Sequence, residues 1–289
     1  MRIGALEAGG TKMVLGVFDE EGRLLERMTT PTRSPDKTMP EIISFFKQQH
    51  IDRLGVGTFG PVNLRPDSNG YGTITSTPKL EWRNFPLLRR LEIELQVPTA
   101  IDTDVNAAAL AEARMGAARG CSCAVYVTVG TGIGAGVYVN GNTVHGLMHP
   151  EVGHMLLKPH PNDPQPQGFC PYHSGCLEGL AAGPALAKRA GQSADQLMDS
   201  DPAFTLEAYY LGQMCVNLIM TLSPERIIIG GGVLQRSFLM DLVRKETVRL
   251  LGGYIQATEI TTRIENYIVL PELYPISGLI GAWLLGKNA

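Results

Sequence analysis

IGALEAGGTKMVLGVF, residues 3–18, holds two short apolar runs about a glycine turn. Ile3 to Leu6 and Met13 to Phe18 are strand-like, and Ala8-Gly9-Gly10-Thr11 turns the chain between them. Apolar runs joined by such a turn read as a β-hairpin. A second turn, Asp19-Glu20-Glu21-Gly22, leads into the alternating run Arg23 to Thr29. The same design returns at AVYVTVGTGIGAGVYV, residues 124–139. There Ala124 to Val129 is a strand, Gly130-Thr131-Gly132 turns, Gly134 to Val139 is a strand, and Asn140-Gly141-Asn142 turns again. Glycine and threonine share the first turn of both hairpins, which points to an internal duplication.

Strands and helices alternate outward from these hairpins. Pro40 to Gln49 reads as a helix with Ile42, Ile43, Phe45 and Phe46 on its apolar face. Leu54 to Thr58 is a strand, Asn84 to Leu95 a helix, Thr99 to Ile101 a strand and Val105 to Met115 an alanine-rich helix. The second half is more helical, over Leu177 to Ala181, Pro184 to Ala190, Leu206 to Leu222 and Phe238 to Leu251. Between the last two lies a β-branched strand, Arg226 to Ile229. Such alternation implies an α/β protein with layered sheets. A chain of 289 residues suits two domains. The expected division is residues 1–115 and 116–276, with the apolar helix 277–286 packing back on the first.

A hydrophobic share of 44% and a charged share of 18% exclude a disordered chain. The net charge of -3, with no basic run, argues against nucleic acid as a partner. The longest nearly apolar stretch, Ile276 to Gly286, is too short to cross a bilayer, so no membrane partner is expected. The opening residues read as a strand, not a signal peptide. An odd count of 5 cysteines then argues against a disulfide framework and for a reducing cytoplasm.

Three glycine corners suggest a nucleotide site. In Glu7-Ala8-Gly9-Gly10-Thr11-Lys12, bare backbone N–H groups can approach phosphate oxygens, and Thr11 and Lys12 can donate to them. Gly130-Thr131-Gly132-Ile133-Gly134 offers a second such cradle. Gly230-Gly231-Gly232, with Val233 and Leu234 beyond, follows a buried strand and suits a flat adenosine. Asp104 stands where a strand gives way to a helix. It reads as a helix N-cap, as a carboxylate that takes a proton from a hydroxyl, or as both. Cys170, His173 and Cys176 in one short loop, with His154 upstream, form a donor set for tetrahedral Zn²⁺ with no open position. Glu151 and Glu178 flank that loop and suit sugar hydroxyls.

Taken in order, the motifs around Glu7, Asp104 to Asn106, Gly130 to Gly134, Glu151 to His154, Cys170 to Glu178 and Gly230 to Gly232 resemble those of ROK-family sugar kinases, from residue 3 to residue 285. Within the family the chain is most similar to bacterial fructokinases, through Glu7 and the run Gly72 to Leu80, GTITSTPKL. The resemblance implies a duplicated actin-like ATPase fold of two ribonuclease-H-like domains around a cleft. It implies Mg²⁺- and ATP-dependent phosphorylation of a hexose, with D-fructose as the expected sugar, and a homodimer. Asp104 matches the general base, and Asn106, Glu151, His154 and Glu178 match sugar-binding positions. The glycine turns match phosphate loops, Gly230 to Leu234 an adenosine site, and Gly183-Pro184 a position near the nucleotide. His154 would bind zinc through one ring nitrogen and offer the other to the sugar. Two departures stand out: Glu7 replaces the usual Asp, and His173 replaces one of three usual cysteines. The alternatives are a kinase of mannose, glucose or N-acetylmannosamine, or a non-catalytic sugar sensor. The sensor reading needs an N-terminal DNA-binding segment, for which a phosphate motif at residue 7 is expected to leave no room.

Overall fold

The computed structural model describes residues 1–289, apart from the side chain of Asp195. By contacts the chain divides into two compact units: Met1–Gly116 with Gly136–Pro150 and Leu273–Ala289, and Ala117–Ala135 with Glu151–Glu272.

In the first unit, β1 (Ile3–Ala8), β2 (Lys12–Phe18), β3 (Leu24–Pro31), β4 (Arg53–Thr58) and β5 (Thr99–Thr103) form one sheet ordered β3-β2-β1-β4-β5. The opening hairpin pairs Ile3 with Phe18 and Ala8 with Met13, antiparallel. β4 joins β1, and β5 joins β4, in parallel. Parallel strands need both faces covered, and β1 is buried along almost its whole length. Successive side chains point to opposite faces. Leu6 and Leu15 accordingly join a core with Phe46, Trp82 and Leu91, on the side of α1 (Pro35–Gln49) and α2 (Leu87–Leu95). Ile3, Ala5 and Val14 join the other core, with Ala111 of α3 (Asp104–Met115) and Leu279 and Trp283 of the C-terminal helix (Ser277–Lys287). That helix packs on the first unit. The approach is close enough that a Cβ on Gly281 would stand 1.8 Å from the Ala107 carbonyl oxygen.

In the first unit, α1 and α2 start three or more residues away from the sequence reading. α1 begins at Pro35, whose fixed φ suits the first helical position, and Pro40 lies inside the helix. α2 begins at Leu87, because Asn84 takes a left-handed φ of 57° and Pro86 directly precedes the helix.

The second sheet contains β6 (Cys123–Val129), β7 (Ile133–Val139), β8 (Asn142–Thr143), β9 (Arg226–Gly230) and β10 (Ile268–Val269), ordered β10-β9-β6-β7-β8. β9 runs parallel to β6 and β10. Numbered from its own first strand, this order repeats that of the first sheet, so the duplication read from the hairpins extends through all five strands. The second unit also holds α4 (Leu177–Ala181), α5 (Gly183–Ala190), α6 (Ala203–Leu222) and α7 (Ser237–Leu251). Among the described residues no helix is long and apolar enough to cross a membrane.

Gly136–Pro150 was expected in the second domain but groups with the first unit. The cause is local. Gly136 lies so close to α3 that a Cβ there would meet the Val105 carbonyl oxygen at 2.1 Å. Arg114 Nη2 donates to the Gly141 carbonyl at 3.0 Å, and Thr143 Oγ1 donates to Asp102 at 2.8 Å.

Candidate active site

The first glycine turn closes with Gly9 N–H donating to the Lys12 carbonyl at 3.1 Å. A Cβ on Gly9 would lie 2.8 Å from that oxygen, so the turn requires glycine. Thr32, just past the end of β3, fastens it, its hydroxyl donating to the Gly9 carbonyl at 2.7 Å and its N–H to the Thr11 carbonyl at 2.9 Å. Thr11 and Lys12 are exposed.

Asp104 opens α3, but it is not the cap. Thr103 is, its hydroxyl accepting the Asn106 N–H at 3.0 Å. This corrects the N-cap expectation: the hydroxyl satisfies the free helical N–H and leaves the Asp104 carboxylate for other work. Asp104 Oδ1 accepts the Val105 N–H at 2.9 Å. Burial raises the Asp104 carboxyl to a pKa of about 6. Burial, and then the charge of Asp104, raises Glu7 at the end of β1 to about 7. A Cβ on Gly278 would lie 2.6 Å from Glu7 Oε1, so the C-terminal helix also walls this carboxyl. A carboxylate with a pKa near neutrality is suited to accepting a hydroxyl proton.

Asp102, two residues before Asp104, was not singled out from sequence. It is 2% exposed and gathers four donors. They are Thr103 N–H at 2.7 Å, Asn106 Nδ2 at 2.7 Å, Thr143 Oγ1 at 2.8 Å and His145 Nε2 at 3.0 Å. The bond to Asp102 raises the pKa of His145. Asn106 is fully buried, and its Oδ1 has no hydrogen-bond partner. His149, also buried, accepts the Val62 N–H at 3.2 Å through Nε2, and burial lowers its pKa. Two histidines four positions apart after a strand were the available signal, but neither belongs to a motif.

The second unit gathers a separate set. Gly130 N–H donates to the Gly132 carbonyl at 2.9 Å, closing the second turn. Glu178, near the start of α4, accepts the Ile133 N–H at 2.9 Å through Oε2, and a Cβ on Gly132 would come within 2.6 Å of that oxygen. Gly183 N–H, opening α5, donates to the Gly130 carbonyl at 2.8 Å. A Cβ on Gly183 would touch Gly130 O at 3.0 Å and Val233 Cγ2 at 3.5 Å. Gly231 has φ +98°, and its Cβ would meet the Val129 carbonyl at 2.3 Å, so only glycine fits. Gly232 and the buried Val233 and Leu234 form a short turn before α7. The fold thus joins Gly130 to Gly132, Glu178, Gly183 and Val233, and Gly134 lies just beyond, in β7.

His154 ends a short helical turn, Val152–His154, that follows Glu151. Its Nδ1 is 4.0 Å from Cys170 Sγ and 3.8 Å from Cys176 Sγ, while Cys170 Sγ is 3.7 Å from His173 Nδ1. One ligand atom from each of the four lies within 4.8 Å of the others. Zinc bonds of about 2.0–2.3 Å set tetrahedral edges of about 3.3–3.8 Å; the donor types suit Zn²⁺, and the three spacings of 3.7, 3.8 and 4.0 Å stand at or just beyond the upper end of that range. The proline-rich stretch His160 to Gln167, ahead of Cys170, has an anchor of its own. Asp163 forms a buried pair with Arg189 at 3.0 Å and accepts the Tyr210 hydroxyl at 2.6 Å.

A profile described as the ROK family matches residues 3–289. The fructokinase of Pediococcus pentosaceus is 39% identical, aligned over 100% of this chain and 99% of its own. The fructokinase of Zymomonas mobilis is 40% identical over 99% of this chain and 96% of its own. A crystal structure of a ROK family glucokinase from Streptomyces griseus, in complex with glucose and AMPPNP, superposes with a TM-score of 0.80 at 25% identity, covering 100% of both chains.

Proposed function

The chain belongs to the ROK family, and from that membership we propose that it transfers the terminal phosphoryl group of ATP to the 6-hydroxyl of D-fructose. The products are ADP and fructose 6-phosphate. The observation that carries the sugar is the alignment with two fructokinases over nearly the whole chain. The chemistry rests on Asp104, which takes the hydroxyl proton as that oxygen attacks the phosphorus. Backbone N–H groups of both glycine turns, with Thr11, Lys12 and Thr131, carry phosphate charge. Such transfer depends mainly on positioning and electrostatics. Glu7 would supply a hard oxygen donor beside the first turn to Mg²⁺ bound with ATP, an ion whose charge would offset that of the phosphates. Gly183, Pro184 and Gly230 to Leu234 take the adenosine.

Asn106, Glu151, His154 and Glu178 bind sugar hydroxyls in this reading. Asn106 is oriented through Asp102. Glu178 keeps Oε1 for the sugar while Oε2 holds Ile133. Zn²⁺ held by His154, Cys170, His173 and Cys176 would fix the segment between Glu151 and Glu178, with His154 bound through Nδ1 and its Nε2 left for a hydroxyl. We further propose that the protein is a cytoplasmic homodimer; none of its cysteines is in a disulfide. Phosphorus NMR of a reaction with MgATP and fructose tests the activity, with fructose 6-phosphate as the expected product. A 1-phosphate, or none, would refute it.

Two predictions follow from the geometry. Asp104 must be ionised to accept a proton, and burial places its pKa at about 6. The kcat/KM for fructose should therefore fall about tenfold per unit below that pH and level off above Glu7's value of about 7. A profile flat from pH 5 to 7 would exclude this base. The second concerns the neighbouring glycines. No atom lies within 4 Å of a Cβ on Gly130, whereas one on Gly132 strikes Glu178. Gly130→Ala should keep wild-type thermal stability and weaken ATP alone. Gly132→Ala should raise the KM of fructose as well, by about tenfold for a displaced charged contact. Equal steady-state constants for the two variants would contradict the Glu178 assignment.

A further inference from the structure

Lys79 has no role in the account above, although it lies in the run Gly72 to Leu80 that marks the chain as fructokinase-like. Its stem lies over the first glycine turn: a Cβ on Gly10 would stand 3.3 Å from Lys79 Cε and would meet no other atom within 4 Å. The open side of that turn is thus bounded by one side chain, and that side chain is a cation. The position is built. Lys79 N–H donates to the hydroxyl of Thr77 at 3.3 Å, and Thr77 is 1% exposed. Arg83 Nε donates to the Thr77 carbonyl at 2.9 Å. The Lys79 carbonyl accepts the N–H of Trp82 at 2.9 Å, and the buried Trp82 indole donates to the Arg33 carbonyl at 2.7 Å. Lys79 is itself partly buried, and among the described residues its ammonium has no carboxylate partner. A half-buried cation without a counter-charge, over a turn whose backbone Gly9 and Gly10 leave uncovered by side chains of their own, is a site for an anion.

We propose that Lys79 contacts the phosphate chain of the nucleotide triphosphate at the Gly9-Gly10 turn and stabilises the charge on the transferring group. Lysine serves phosphate as a point charge on a flexible stem, which matches a contact made by its far end. The proposal rests on the kinase reading and adds a residue to it.

Lys79→Met keeps the stem and removes the charge, while Lys79→Arg keeps the charge. In the full chain, calorimetric titration with MgATP should show the dissociation constant rise about tenfold or more in Lys79→Met, and kcat should fall about 10²-fold, the scale of one lost charge-stabilising donor. Inhibition by adenosine, which has no phosphate, should change less than about twofold, as should the KM of fructose, on a contact made to phosphate alone. The melting temperature should stay at the wild-type value, and Lys79→Arg should recover most of the loss. Wild-type MgATP affinity and kcat in Lys79→Met would overturn the proposal. So would equal weakening of MgATP and adenosine, or an Arg variant no better than Met, since either marks a structural role. A wild-type protein that binds no MgATP would overturn the functional reading as well. MgATP binding with no hexose turnover would sink that reading alone and leave the Lys79 titration in force.

Discussion

Asp104→Asn should lower kcat at saturating fructose and MgATP by at least about 10²-fold, the usual scale for a lost general base. The amide preserves size and can still accept the Val105 N–H, so the affinities for both substrates should stay within a few fold. Stability should move the other way. Burial raises the folded-state pKa of Asp104 to about 6. A carboxyl raised on folding favours the folded state below its unfolded pKa and loses that advantage as pH climbs to the folded value. Wild-type protein therefore carries its full ionisation penalty above about pH 6, and the Asn variant carries none. The variant should melt a few degrees higher at pH 8, with the difference shrinking toward pH 4. Steady-state kinetics and melts across pH check both halves. A variant with near-wild-type kcat would remove Asp104 from the chemistry.

The second large effect belongs to the metal cluster. Cys176→Ser should drop bound zinc from about one per chain to nearly none, because a hydroxyl is a poor replacement for a thiolate ligand. Serine is the better probe here, since Cys176 Sγ also accepts the Gly179 N–H at 3.4 Å and caps α4, a contact that a hydroxyl retains. The KM of fructose should rise about tenfold, the scale of a lost hydrogen bond to a charged group, while that of ATP stays within twofold. Chelation with Mg²⁺ restored should give the same result. Loosening should be confined to Phe169 to Gly175, because Asp163, paired with Arg189 and Tyr210, holds the earlier part of the loop without metal. Metal analysis beside kinetics decides: zinc-free protein with wild-type fructose KM would sink the role given to the cluster.

Local signals carried the reading of the fold and part of the site. Glycine turns between apolar runs declare hairpins on their own, and two alike pointed to a duplication, which the structure extends to the strand order of both sheets. Cys170, His173 and Cys176 sit within one loop, so their spacing alone brought them together. What failed to show was long-range or decided by competition between similar residues. Thr103 and Asp104 are both good N-caps, and only the register of β5 and α3 settles that Thr103 takes the role. Asp102 meets His145, 43 residues on, and Ile133 meets Glu178, 45 residues on, through packing that no short pattern encodes. The grouping of Gly136–Pro150 with the first unit has the same origin: Gly136 lies against α3, and Thr143 and His145 end on Asp102. Lys79 was visible only as part of a resemblance until its stem was found over Gly10.

The most direct test of the whole account is a comparison of kcat/KM for fructose, glucose, mannose and N-acetylmannosamine with the purified protein, read by coupled release of ADP. Fructose should rank first, by at least about tenfold over each of the others, which is within what a few hydroxyl contacts can discriminate. A higher value for any of the other three, or no release of ADP with fructose, would contradict it.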